Sequence, residues 1–188
     1  VGQGAATVRL DLSRHRWTWR EKIRRGFWML TWRLLGTYGP RLLSPLRIAL
    51  LRLFGARIGA GCKVCGHVKV LMPWNLELGD CSVLSERVDV YNFAFVRIGR
   101  QTCISQGSWL CTGTHDHRQW DFPLCWSPIV IGDSAWIAAE ALVLPGTRVG
   151  DGVVVGARAV VSGDLEAWTV YAGNPARRLG ARSLRGRQ

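Results

Sequence analysis

The sequence predicts a mainly β protein: a parallel β-helix with triangular coils, preceded by a helical segment and interrupted by one extruded loop. Three observations carry this. Aliphatic residues recur every six positions, a small or β-branched residue recurs four places after each, and the count breaks once, around "TGTHDH".

In steps of six, Ile58, Val64 and Val70 lead the first hexads. After two extra residues come Leu78, Leu84 and Val90, and after two more Ile98, Ile104 and Leu110. The count restarts at Ile131 and runs through Ile137, Val143, Val149, Val155 and Val161, so fifteen hexads begin on fifteen aliphatic residues. The fifth member is Cys, Ser, Thr, Ala or Val in thirteen of the fifteen, the exceptions being Trp74 and Leu165. An α-helix needs a period of 3.6, which six does not supply. Three hexads make one triangular turn, with the leading aliphatics in the bore, the small residue at the corner, and coils stacked about 4.8 Å apart. The pairs Glu77-Leu78 and Arg97-Ile98 lengthen two coils. The glycines that follow the aliphatics, such as Gly59, Gly79 and Gly132, read as points where a turn needs backbone freedom.

Before the coils, residues 1–13 show no periodicity and are expected to fray. From Trp17 to Leu35 apolar residues recur at helical spacing, with Ile23, Phe27, Leu30 and Leu34 on one side and Arg on others. After "GTYGP" a second apolar and basic helix is expected from Leu42 to Phe54. Neither offers the roughly 20 uninterrupted apolar residues of a membrane span. Their Trp and Arg content suits a membrane surface; packing on the body or on a neighbouring subunit is the other reading. The expected division is a tail and amphipathic helices over 1–55, a coil domain over 56–175 with a loop at 116–128, and a basic tail over 176–188.

Length allows one domain with a real core. The formal net charge is +12, carried mostly by arginine. That favours anionic partners such as phosphorylated cofactors or an acidic membrane face, and gives no specific nucleic-acid signal. Cys62 and Cys65 form one CxxC with no second pair at ligand spacing, two ligands short of a structural zinc site, so no metal is assigned. The six cysteines fit a reducing compartment. The first apolar run is late and studded with Arg, unlike a signal peptide. The expected location is therefore cytoplasmic, with a possible peripheral position at the inner face of the membrane.

Together the hexads, "TGTHDH", the following "PIVIGDSAWIAAEALVLPGTRVGDGVVVGARAVV" and the closing "VYAGNPAR" resemble the hexapeptide-repeat acyltransferases. The resemblance is nearest to the colanic acid biosynthesis, nodulation-factor, and maltose or galactoside O-acetyltransferases. It covers about Phe54 to Arg178, and the helical N-terminus looks like that of the colanic acid type. It implies a left-handed coil, a homotrimer, and acetyl-CoA, the co-substrate, bound between subunits.

Acetyl transfer to a hydroxyl needs orientation, a base for the alcohol proton and a donor for the developing oxyanion. An imidazole, ordinarily titrating near 6.5, suits the base role. His115 ends a coil just before the extruded loop and matches the family's catalytic histidine. Alternation of an extended chain turns Asp116 away from it and places His117 on its side; what orients His115 is left open. His117 and Trp120 are placed on the acceptor side, with no role at all standing as the other reading of His117. Asn92, in "YNF", resembles an acceptor-side asparagine, and a turn-forming role stands beside that reading. For coenzyme the resemblance implies Trp136, Ala139, Ala157 and Ser162. The family often has Ser at the place of Ala139 and Lys at that of Gly163; Arg177, Arg178 or Arg182 can replace that phosphate contact, and a solvated tail is the other reading of these arginines.

The reading is an acetyl-CoA-dependent O-acetyltransferase acting on a sugar or glycolipid hydroxyl, in exopolysaccharide or other glycoconjugate synthesis. Against it stand a γ-type carbonic anhydrase, for which the His115/His117 pair is one ligand short and His67 lies far down the stack, and a non-catalytic trimeric membrane-surface adaptor.

Overall fold

The structure is a computed structural model and describes Val8 and residues 17–186; most of the expected N-terminal tail lies outside the described residues. Short parallel strands wind into six coils of a three-sided solenoid. Face A stacks Arg57–Ile58, Leu76–Leu78, Val96–Ile98, Ile129–Ile131, Arg148–Val149 and Asp164–Leu165. Face B begins at Lys63–Val64 and ends at Thr169–Gly173, and face C runs from Lys69–Val70 to Val160–Val161. Register follows the hexads: Ile58 pairs with Leu78, Leu78 with Ile98, Ile98 with Ile131 and Ile131 with Val149. All fifteen leading aliphatics are buried. The two-residue lengthening is absorbed on face A, where Leu76, Val96 and Ile129 add a second buried, mutually paired column.

Corner residues are small because their side chains point inward and, where polar, reach the next coil. Ser82 Oγ donates to the Gly99 carbonyl at 2.7 Å, Thr102 Oγ1 to that of Gly132 at 2.8 Å, and Ser108 Oγ to that of Ala138 at 2.9 Å. Buried hydroxyls are thus satisfied by the backbone they approach.

The glycines that follow the aliphatics act differently from expectation. Positive φ is taken instead at the fourth hexad place, mostly by other residues: Cys81 (58°), Gln101 (53°), Glu140 (58°) and Arg158 (58°). Gly79 is needed for close approach, because a Cβ there would lie 2.7 Å from Arg100 N and from Gly99 C.

Helix α1 spans Trp19–Thr31, continues as a π-turn over Trp32–Gly36, and starts with a capping box in which Thr18 and Glu21 bond reciprocally. Helix α2 spans Ser44–Leu53, entered through a 3₁₀ turn at Arg41–Leu43. Both close the first coil. Trp28 and Leu51 are fully buried at its base. Helix side chains satisfy backbone groups that no further coil covers: Trp28 Nε1 donates to Val70 O (2.7 Å), Trp32 Nε1 to Val68 O (2.9 Å) and Arg52 to Ile58 O (2.7 Å). Ser44 Oγ accepts from Val64 N at 2.8 Å. Arg47 is fully buried and donates to the carbonyls of Gly36 and Gly39 at 2.8 Å each.

At the other end the expected basic tail is a strand. Ala176–Ala181 turns back antiparallel along Thr169–Gly173 and completes face B. Arg177 and Arg178, within this strand, are the charges that make it read as a tail.

Candidate active site

The break in the hexads is a β-hairpin leaving the corner between faces C and A. Gly113–His115 pairs antiparallel with Leu124–Trp126, with Gly113 opposite Trp126 and His115 opposite Leu124. The intervening loop is drawn shut by Asp116, whose amide donates to Pro123 O at 3.1 Å. Its carboxylate accepts from Arg118 N at 3.0 Å and Gln119 Nε2 at 2.9 Å. The Arg118 amide, then Gln119, hold that carboxyl below the usual carboxylate range. Asp116 is therefore a loop brace, with no bond to His115.

His115 is held by Phe122. Its Nδ1 lies 2.8 Å from the Phe122 carbonyl, and its ring stacks on the Phe122 ring at 4.4 Å between centroids and 8° between planes. A carbonyl only accepts, so Nδ1 carries the hydrogen and the neutral ring presents a free lone pair at Nε2. Phe122 adopts φ = +46° to do this, a left-handed conformation that costs a non-glycine residue about 1–2 kcal/mol. Nothing in the sequence marks Phe122 for this role, because a carbonyl partner leaves no trace in residue type.

Beneath the hairpin lies an aromatic floor. Tyr91 meets Phe93 edge-on at 4.7 Å and Trp109 at 6.2 Å, and Phe93 stacks with Trp126 at 6.3 Å. Trp17, at the entry to α1, stacks on Trp126 at 6.2 Å. A Cβ on Gly113 would strike Phe93 Cδ2 at 2.7 Å, so the floor requires glycine at the hairpin root. Trp109 and Trp126 remain partly exposed, and Trp120 stands exposed at the hairpin tip, as does His117 in the same loop.

Asn92 requires correction. It is fully buried, its Oδ1 accepts from Met72 N at 2.9 Å, and its Nδ2 donates to Met72 O at 2.7 Å and Asn75 O at 3.1 Å. It fastens the corner between two coils and faces no acceptor. Cys111, the thiol at the hairpin root, is not arranged as a nucleophile: burial pushes it up, and its Sγ donates to Gly113 O at 3.2 Å. Cys62 and Cys65, whose thiols burial also raises, are free thiols in the coil. No group of three or more His, Cys, Asp or Glu at metal-holding distance occurs among the described residues.

The residues assigned to coenzyme fall on two corners. Ala139 and Ala157 stack at the corner between faces B and C, with Arg158 N donating to Ala139 O at 2.9 Å. Trp136 stands just before them on face B, its Nε1 bonded to Ser105 Oγ at 2.9 Å. Arg177 pairs with Ala172, whose Cβ lies over Gly156, so it stands above the coil one residue to the side of this column. Arg178 turns to Glu166, with 3.5 Å between Nε and Oε2. Arg182 is spent on the carbonyls of Ser134 (2.8 Å) and Gly152 (3.0 Å). Ser162 follows the last strand of face C, at its other end. His115 leaves from that same end. One chain thus sets His115 and the alanine corner at opposite ends of one face.

The Bacterial transferase hexapeptide (six repeats) family matches residues 128–163. The Escherichia coli K12 protein named for colanic acid biosynthesis acetyltransferase activity, WcaF, is 42% identical over 149 residues, covering 79% of this chain and 82% of its own. The chain belongs to the hexapeptide-repeat acetyltransferases. A second relative, named as a lipopolysaccharide biosynthesis O-acetyl transferase (WbbJ) of the same organism, is 33% identical over 136 residues, 66% of each chain. Among solved structures, a maltose O-acetyltransferase from Clostridium difficile 630 superposes with a TM-score of 0.77 at 24% identity, over 87% of this chain and 88% of its own. A Vibrio cholerae hexapeptide-repeat acetyltransferase complexed with acetyl-CoA gives 0.74 at 23% identity, over 88% and 91%. These likenesses support the solenoid read from the hexads.

Proposed function

We propose that the protein transfers the acetyl group of acetyl-CoA to a sugar hydroxyl, with His115 as general base. The observation that carries this is the bond from His115 Nδ1 to the Phe122 carbonyl. It fixes the tautomer, and the stacked Phe122 ring fixes the plane, so Nε2 stands ready for a hydroxyl proton. Acetyl-CoA supplies the activated acyl group. Trp136, Ala139 and Ala157 present a flat column of small side chains beside one aromatic, and Arg177 offers a fork for phosphate beside its top. As the sugar oxygen bonds to the acyl carbon, Nε2 takes its proton, and the imidazolium returns it to the departing thiolate. Trp109, Trp120 and Trp126 supply partly exposed aromatic surface against which a sugar ring can lie, and His117 is an exposed residue of the same hairpin's loop.

We further propose a homotrimer. Its support is the split of residues between two corners: a neighbouring copy would bring its alanine column to this chain's His115, completing a site that one chain leaves divided. The relatives' names, for colanic acid and lipopolysaccharide biosynthesis, support a place in exopolysaccharide or other glycoconjugate synthesis; action in the cytoplasm or at the inner membrane face is part of the same proposal. The test is mass spectrometry of candidate oligosaccharides after incubation with acetyl-CoA, using the parent and His115→Ala. A mass increase of one acetyl group with the parent, lost in the variant, is expected. Equal products from both would remove His115 from the mechanism.

A further inference from the structure

Helix α1 is apolar on two sides. Trp28 and Trp32 face the solenoid and are buried. Ile23, Phe27, Leu30 and Leu34 are 61%, 64%, 58% and 69% exposed. At about 100° per residue this second stripe lies roughly 150° from the first, so the core does not use it. Helix α2 repeats the arrangement. Arg47 and Leu51 face inward, whereas Leu46 and Leu53 of α2 and Leu42 of the 3₁₀ turn that enters it are 42%, 78% and 84% exposed. Phe27 and Phe54, 5.6 Å apart, make the two helices neighbours. Four large apolar side chains in a row on one helix, beside three on the next and its entry turn, form an outward surface of the kind that marks an interaction site.

The charges around it name the partner. Arg20, Lys22 and Arg33 flank the exposed stripe of α1, while Arg24 is stacked over Trp74 at 3.9 Å, and the one carboxylate of α1, Glu21, is engaged by Thr18. Beside α2 runs a groove of about 760 Å³ whose lining includes Leu42, Ile48, Arg41, Arg52 and Lys63 and contains no acidic residue. Two copies packed through this face would set like charges against each other. A bilayer with anionic phospholipid heads satisfies both features, apolar stripe to acyl boundary and cations to phosphates. No helix among the described residues is long and apolar enough to cross a membrane, so the contact is with the surface. We propose that the outward faces of α1 and α2 seat the protein on an anionic phospholipid surface.

The test uses the full chain with vesicles of phosphatidylcholine alone and of phosphatidylcholine with phosphatidylglycerol, read by co-sedimentation. Binding to the anionic vesicles, weakening as salt rises, is expected. Leu34→Ser with Leu53→Ser, both at exposed positions, should lower the partition coefficient about a hundredfold, roughly tenfold for each side chain lost to the bilayer. Light scattering should show the same particle mass as the parent. His115→Ala should bind as the parent does, so loss of acetyl transfer and loss of docking are separate results. Absence of parental sedimentation, unchanged binding by the serine variant, or salt-insensitive binding to neutral vesicles would each overturn the proposal. A fall in particle mass with the serine variant would do so too, by assigning the face to contacts between copies.

Discussion

Phe122→Ala separates what holds the histidine from what the histidine does. The substitution keeps the carbonyl that meets His115 Nδ1 at 2.8 Å and removes the ring stacked on it at 4.4 Å. A stacked aromatic pair contributes about 0.5–1.5 kcal/mol beyond area burial. If that energy serves to keep the imidazole in its productive plane, kcat falls about two- to thirteenfold. His115→Ala removes the base itself and should cost about 10²–10⁴-fold. Combining the two should cost no more than His115→Ala alone, because the ring has nothing left to orient. The assay is release of free coenzyme A thiol, with kcat and KM measured for all four proteins on one sugar acceptor found by mass spectrometry. A Phe122→Ala penalty of the same size in both backgrounds would refute the reasoning, since Phe122 would then act independently of His115.

Other substitutions probe the scaffold and the coenzyme column. Asn92→Ala strands Met72 N, Met72 O and Asn75 O, so thermal unfolding should show a loss of about 1–3 kcal/mol, while acetylation well below the melting temperature stays unchanged. Gly79→Ala forces a Cβ to within 2.7 Å of Arg100 N and should destabilise by about 1–3 kcal/mol or more, lowering Tm by about 2–4 °C per kcal/mol in calorimetry. Arg177→Ala should raise KM for acetyl-CoA by about tenfold, the scale of one charged hydrogen bond, with Arg178→Ala close to the parent because its partner is Glu166. The Asp133 carboxyl is held below its ordinary range by the Arg100 amide and then by the Arg100 side chain. Its stabilising effect is therefore present above the ordinary carboxylate pKa and lost as pH falls through the lower folded value. Asp133→Asn should narrow the stability gap between pH 6 and pH 2 in denaturant titrations, by a small amount because the pair is exposed.

The solenoid was legible because its period is enforced by burial at every sixth residue: substitution at Ile104 or Val155 by a polar residue would place that group in the bore. The helices were legible from the same cause; their bounds shifted at the Thr18 cap, which starts α1 at Trp19 where Trp17 was expected, and where α1 continues as a π-turn and α2 begins in a 3₁₀ turn. What escaped depends on backbone geometry. Phe122 meets His115 through a carbonyl, which every residue possesses. The role of Gly79 is a distance to the next coil, invisible to a reading that weighs glycine by its torsions. Asn92 looked like an acceptor contact because its type permits one, and only coordinates reveal that all its hydrogen bonds are turned inward. Arg177 and Arg178 are adjacent in sequence yet diverge, because alternation along a strand sends neighbours to opposite sides.

A stack of parallel rungs has no intrinsic length. Each open end offers the amides and carbonyls that would template another rung, and two such ends could join molecules into fibres. Here tryptophan indoles and arginine forks plug one end, and at the other the reversed strand Ala176–Ala181 gives face B a direction no parallel rung can extend. The rod is thereby finite, and a repetitive sequence yields a discrete particle instead of a filament.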